Sequence, residues 1–249
     1  VLMPRHRAIV PAPSLFCVLF SSALTLFSGT LPSAAQQPTS SNWPQFRGPA
    51  ASGVGSGSPP SDWDVESGKN ILWKTPIPGL AHSSPIVWGE HVFVTTATSG
   101  DVTPELKVGL YGAGDSAKDM VEHEFKLICL DRKSGKVLWD QVAHKGVPKV
   151  RRHTKATHCN STPATDGQRV IAFFGSEGLH CFSMDGQSLW KKDLGVLDAG
   201  PYDAQGMQWG FASSPILAGD RVIVQCDVYK SPFLAAFDAK DGREIWRTP

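Results

Sequence analysis

The side chains that could do chemistry are few and far apart. His82, His158, Asn160, Trp209 and Phe211 each precede a Ser/Thr-Pro step, at Ser84-Pro85, Thr162-Pro163 and Ser214-Pro215. Imidazole, amide and aromatic faces together suit a ligand pocket with an apolar wall and a few polar anchors. The plainer alternative is that loop histidines are solvated or bonded locally. His82, His153 and His158 lack metal-ligand spacing, so no metal centre is expected from them. Cys129, Cys159, Cys181 and Cys226 are irregularly spaced and form no CxxC pair, which leaves no legible zinc or redox motif. Glycines 53, 55 and 57, and 109, 112 and 114, follow no strand-to-helix phosphate-loop pattern. No complete catalytic set is visible.

The elements that must position these residues repeat three times along the chain. One unit opens with HSSPIVWGEHVFVTT (82–96) and closes with LICLDRKSGKVLWDQV (127–142); a second spans 160–194 and a third 212–248. Superposing the units aligns the three Ser/Thr-Pro steps and also aligns Trp139, Trp190 and Trp246. Runs such as HVFVTT, RVIAFF and RVIVQC are β-branched and aromatic, the composition of strands. Gly89, Asp166-Gly167 and Gly219-Asp220 supply hairpin turns before them, and the glycines of RKSGK, SMDGQ and AKDGR supply turns after the third strand. Helical periodicity is absent.

Four-stranded units of this size cannot bury both faces alone, and stacking them about an axis solves the problem. The expected fold is therefore all-β, a β-propeller of four-stranded antiparallel blades at about 82–143, 160–195 and 212–249. Trp73, in NILWKTPIPG (70–79), matches the tryptophan of a fourth strand and predicts an orphan outer strand. The tryptophans Trp73, Trp139, Trp190 and Trp246 are expected to fill the wedges between blades. Cys129 and Cys181 fall at equivalent positions of adjacent blades, where α-carbons seldom approach within the roughly 7 Å that a bridge needs, so buried thiols are expected; the disulfide state is otherwise open.

The ends and the charge bound the setting. Arg5 and Arg7, an apolar run from Leu15 to Phe27 and then Ser33-Ala34-Ala35 read as a secretory signal peptide over 1–35, with Met3 as the start. The run falls short of the roughly 20 residues of a spanning helix, so no stable membrane insertion is expected after cleavage. Residues 36–62 are rich in Pro, Ser and Gly and read as an irregular arm ahead of the propeller region 63–249. A formal net charge of +1 gives no general attraction for nucleic acid. The basic run 144–158 lacks interleaved aromatics and reads as a connector, with an anionic polymer as the other possibility. Residues 100–124 interrupt the first unit, and such insertions often carry recognition.

The segments LDRKSGKVLW and FDAKDGREIW resemble the tryptophan-docking repeat of the pyrroloquinoline-quinone (PQQ)-like propellers, and NWPQFRGPAASGVG (42–55) is similar to the start of a secreted bacterial branch of that family. The resemblance implies an eight-bladed ring in a complete molecule, of which this sequence would be about half, the rest closing the ring. The family includes quinoprotein alcohol dehydrogenases and the propeller lipoprotein of outer-membrane protein assembly. In the enzymes the quinone sits over calcium held by carboxylate and amide oxygens, beside a catalytic aspartate and an adjacent cysteine pair. No neighbouring cysteines occur here. The expected function is thus a periplasmic or secreted binding scaffold for a protein or glycan partner, needing no cofactor; the alternative is a PQQ- and calcium-dependent dehydrogenase.

Overall fold

A computed structural model describes residues 42–100, 106, 116–200 and 207–249. The expected signal peptide and most of the insertion at 101–115 lie outside the described residues. Twelve strands form three sheets. The first contains β1 (Ile86–Trp88), β2 (His91–Ser99), β3 (His123–Asp131) and β4 (Val137–Gly146). The second contains β5 (Ala164–Thr165), β6 (Arg169–Phe173), β7 (Leu179–Ser183) and β8 (Ser188–Lys192); the third contains β9 (Ile216–Ala218), β10 (Arg221–Cys226), β11 (Phe233–Asp238) and β12 (Glu244–Thr248). Each sheet is an antiparallel meander in chain order. Apart from two short 3-10 turns, the described residues contain no helix. These are the blades of a β-propeller.

Local chemistry accounts for the meanders. Gly89, Gly167 and Gly219 all hold positive φ at the first hairpin of their blades, a conformation that costs an L side chain energy. At the third turn Asp131 Oδ1 accepts from the backbone N–H and the hydroxyl of Ser134, fixing the reversal by a side-chain turn. The same irregularity recurs in all three blades. Register shifts fall between Cys129 and Leu130, between Cys181 and Phe182, and between Ala236 and Phe237. Directly beside each shift a tryptophan is paired: Cys129 with Trp139, Cys181 with Trp190 and Ala236 with Trp246. A bulge bends its strand and re-aims a side chain, and here it stands where the indole must leave its own sheet.

Those indoles join neighbouring blades. Trp139 Nε1 donates to the Met184 carbonyl at 3.1 Å and Trp190 Nε1 to the Ala239 carbonyl at 3.0 Å. Trp73 likewise donates to the Arg132 carbonyl at 2.8 Å. Each ring lies against the turn glycine of the blade it meets: Gly135 for Trp73, Gly186 for Trp139 and Gly242 for Trp190. Trp246 makes no such bond among the described residues. Residues 70–79 form no ladder strand. Pro76 and Pro78 remove two of the N–H donors that a strand would need, and only the Leu80–Ala97 bridge pairs the end of this segment.

Between the blades lie apolar cores. Phe93, Leu127, Val170 and Phe182 are buried between the first and second sheets, and Phe173, Leu179, Val224 and Phe237 between the second and third. Burying each such side chain contributes roughly 1.5–3 kcal/mol. All four described cysteines are buried free thiols, and burial pushes each thiol up to about 12. They serve as small apolar side chains rather than reactive ones.

Candidate functional site

The Ser/Thr-Pro steps link the inner edges of successive blades. Ser84 N–H donates to Thr162 Oγ1 at 3.0 Å, and Thr162 N–H donates to Ser214 Oγ at 2.9 Å. Ser161 Oγ adds a bond to the Ser213 carbonyl at 2.8 Å. This chain of bonds aligns the segments that lead into β1, β5 and β9, so the residues just upstream of each step converge.

His82, Asn160, Trp209 and Phe211 therefore border one cleft of about 480 Å3, together with His153 and Lys155. Trp209 is set edge-on to His153, with ring centres 5.3 Å apart and planes at 88°. Phe211 is braced by Phe173 at 4.9 Å. The His153 Nδ1 accepts from the Lys155 backbone N–H at 3.0 Å, so its proton sits on Nε2. No carboxylate lines the cleft among the described residues. Asn160 has no amide group to spare: Oδ1 accepts from the N–H and hydroxyl of Thr157, and Nδ2 donates to the carbonyls of Thr157 and Phe211. Its work is to hold the loop and the Phe211 backbone in place.

His158 points elsewhere. Its Nε2 lies 3.3 Å from Asp119 Oδ1 in a buried cluster with Arg152 and His123. Arg152 Nε donates to Asp119 Oδ2 at 2.6 Å, and its Nη1 donates to the Ala156 carbonyl at 2.8 Å. Burial alone would raise the Asp119 carboxyl, but hydrogen bonds with His158 and Arg152 outweigh it and hold the group well below the usual carboxylate range. Burial keeps His123 below its ordinary value. Sequence reasoning singled out neither Asp119 nor His123, because both lie outside the repeated strands' matching positions and carry no spacing signal.

Three cations of the basic run are paired within the chain. Lys145 meets Glu122 at 3.1 Å and Glu124 at 3.5 Å, Lys149 meets Asp193 at 3.2 Å, and Arg152 meets Asp119. The returning end of the insertion is anchored beside the cleft. Ser116 Oγ donates to the Gln208 carbonyl, the Gln208 N–H donates back to Ser116 Oγ, and Ala117 N–H donates to the Arg152 carbonyl.

A second buried histidine gives the fold a pH dependence. His180 is 5 % exposed, with Nε2 3.0 Å from the Glu177 carbonyl and its ring 5.8 Å from that of Phe174. Burial lowers its pKa most; the Glu177 carbonyl opposes this, while the charges of His144 and Lys191 reinforce it. Above about pH 6.5 the ring is neutral in both folded and unfolded chains and contributes nothing. As pH falls below that, the unfolded chain takes up the proton first and stability declines until the folded value is reached. Melting temperature should therefore drop as pH falls below about 6.5, and His180→Gln should flatten the drop. An unchanged slope in the variant would rule out His180 as its source.

A family of PQQ repeats described as outer membrane protein assembly factor BamB matches residues 123–249, just over half of the chain. No curated protein matches. Among solved structures, a europium-containing methanol dehydrogenase aligns at 13 % identity and a TM-score of 0.40, covering 66 % of this chain and 24 % of that one. The quinohemoprotein alcohol dehydrogenase from Comamonas testosteroni aligns at 11 % identity and TM-score 0.39, over 69 % and 21 % of the two chains. BamB from Moraxella catarrhalis aligns at 16 % identity and TM-score 0.33, over 69 % and 47 %. The chain thus spans less than half the length of each.

Proposed function

The chain belongs to the PQQ-like repeat β-propeller family, and from that premise we propose that it is an exported, non-catalytic scaffold that binds an acidic segment of a partner protein in the cleft bordered by His82, His153, Lys155, Trp209 and Phe211. The observation that carries this is the composition of the cleft. It offers N–H donors, one ammonium group and two aromatic rings, with no carboxylate among its described lining residues. Such a wall attracts an anion and packs against its apolar portion. Export rests on the signal peptide expected over 1–35; no helix of the described residues is long and apolar enough to cross a membrane. On this reading the three blades are part of an eight-bladed ring, and Trp246, 36 % exposed, is the indole left for a following blade.

The quinone alternative asks for donors that the cleft does not supply. Calcium under PQQ needs carboxylate and amide oxygens. The cleft's amide, Asn160, is committed to Thr157 and Phe211, and no carboxylate is among its described lining residues. The described residues of the cleft therefore do not fit a calcium–quinone pair.

Calorimetric titration with a glutamate-rich peptide should give saturable binding, weakened about tenfold by Lys155→Glu, a change of ~1.4 kcal/mol; a lysine-rich peptide should not bind. Preference for an oligouronate would move the assignment to a glycan. Dye-linked alcohol oxidation in the presence of PQQ and Ca2+ would overturn the scaffold reading.

A further inference from the structure

We infer that Asp119, His123 and His158 form a binding site for a divalent transition-metal ion, separate from the cleft. One ligand atom from each residue lies within 4.8 Å of the others. The three come from different stretches of chain: the return from the insertion, the start of β3 and the connector into the second blade. All three side chains are sheltered, with Asp119 and His158 side chains 6 % and 7 % exposed and His123 at 3 %. Leu80, Ala97 and Arg152 close the surroundings, leaving a void of about 10 Å3, near the ~10–15 Å3 that one water-sized body requires.

The outer partners are those of an oriented ligand set. His123 Nδ1 lies 2.8 Å from the Val121 carbonyl, which fixes the proton there and turns the Nε2 lone pair to the other side of the ring. Metal-bound imidazoles usually donate their other ring N–H to a carbonyl or carboxylate in this way. Arg152 fixes the carboxylate through Oδ2 and leaves Oδ1 on the side of His158. Ser99, directly across from His123 in the β2–β3 ladder, has a buried hydroxyl without a hydrogen-bond partner among the described residues. An unsatisfied hydroxyl at the ladder position paired with His123 is a polar group that the described residues leave unexplained.

Two imidazoles and one oxygen of a carboxylate already paired with a guanidinium select the ion. Hard cations prefer several oxygens, whereas imidazole suits Zn2+, Co2+, Ni2+ and Cu2+. Arg152 already neutralises Asp119, so the carboxylate offsets little of the added charge, and affinity depends chiefly on the nitrogens.

Equilibrium dialysis of the protein against Co2+ or Zn2+ should retain one ion per chain, with excess Ca2+ and Mg2+ failing to displace it. His123→Gln and His158→Gln should each weaken retention about tenfold or more, while His91→Gln, on β2, should not. Because either variant can unfold, the wild-type protein supplies a second readout: bound Cu2+ should show superhyperfine splitting from two nitrogens in its electron paramagnetic resonance spectrum. Failure of the wild-type protein to retain an ion, which would leave the void to water, overturns the inference. So does retention unaffected by the double variant, or a copper spectrum without nitrogen coupling.

Discussion

Replacing Arg152 with methionine is expected to destabilise the protein by about 3–5 kcal/mol, the range for breaking a buried ion pair from one side. The Arg152 and Asp119 side chains are 3 % and 6 % exposed, and their contact is 2.6 Å. Methionine keeps much of the volume and the apolar stem but leaves the Asp119 carboxylate with only the longer contact to His158, at 3.3 Å. It also removes the donor to the Ala156 carbonyl. Desolvating a carboxylate without a compensating cation is what costs the energy, so Asp119→Asn added to Arg152→Met should restore a large part of the loss. The double-mutant cycle isolates that coupling. Lys133 and Glu90 provide the comparison: their contact is 2.9 Å, yet the side chains are 80 % and 58 % exposed. Lys133→Met should leave the urea midpoint essentially unchanged, because solvent screens an exposed pair. Equal effects at the two sites would mean that burial is not the deciding variable.

The contrast between these two pairs also explains what the sequence could and could not convey. The blades were legible because each strand, turn glycine and tryptophan occurs three times, and repetition separates signal from accident. His82 precedes one Ser/Thr-Pro step and Trp209 and Phe211 another, and only the bonds between the steps place the three at one cleft. Three things were hidden. The bulges beside Cys129, Cys181 and Ala236 depend on pairing geometry, and no residue type in these strands announces them. Asp119, Arg152 and His158 meet across separations of 33 and 39 residues and lie in an insertion and a connector, which have no counterpart in the other blades. The roles of individual polar groups were hidden as well: Asn160 reads as a ligand residue until its amide is seen to be consumed by Thr157 and Phe211. The basic run 144–158 is similar, because the acids that meet Lys149 and Arg152 stand 44 and 33 residues away.

Gly186→Ala should cost roughly 3 kcal/mol, well above what the backbone conformation alone explains. Two physical effects contribute. At φ 89° an L side chain is strained by about 1–2 kcal/mol. The added methyl would also stand 2.9–3.2 Å from three ring atoms of Trp139. That indole cannot retreat, because its Nε1 is tied to the Met184 carbonyl and its ring lies against Phe93 at 5.9 Å. Gly89 separates the two effects: its φ is 56° and a methyl added there would meet nothing within 4 Å, so Gly89→Ala should cost only about 1–2 kcal/mol. Trp139→Ala, which removes a partly buried indole and a hydrogen bond, should itself cost about 3 kcal/mol. In the Trp139→Ala background the steric penalty at Gly186 has nothing to press against, so Gly186→Ala should then cost no more than Gly89→Ala does. Strict additivity of the two substitutions would show that the indole does not set the spacing between these blades, and the same test applies to Gly242 with Trp190 and to Gly135 with Trp73. Non-additivity at all three would mean that each turn glycine is required by the tryptophan it meets, so that the repeat in the sequence is the record of one contact made again at every blade junction.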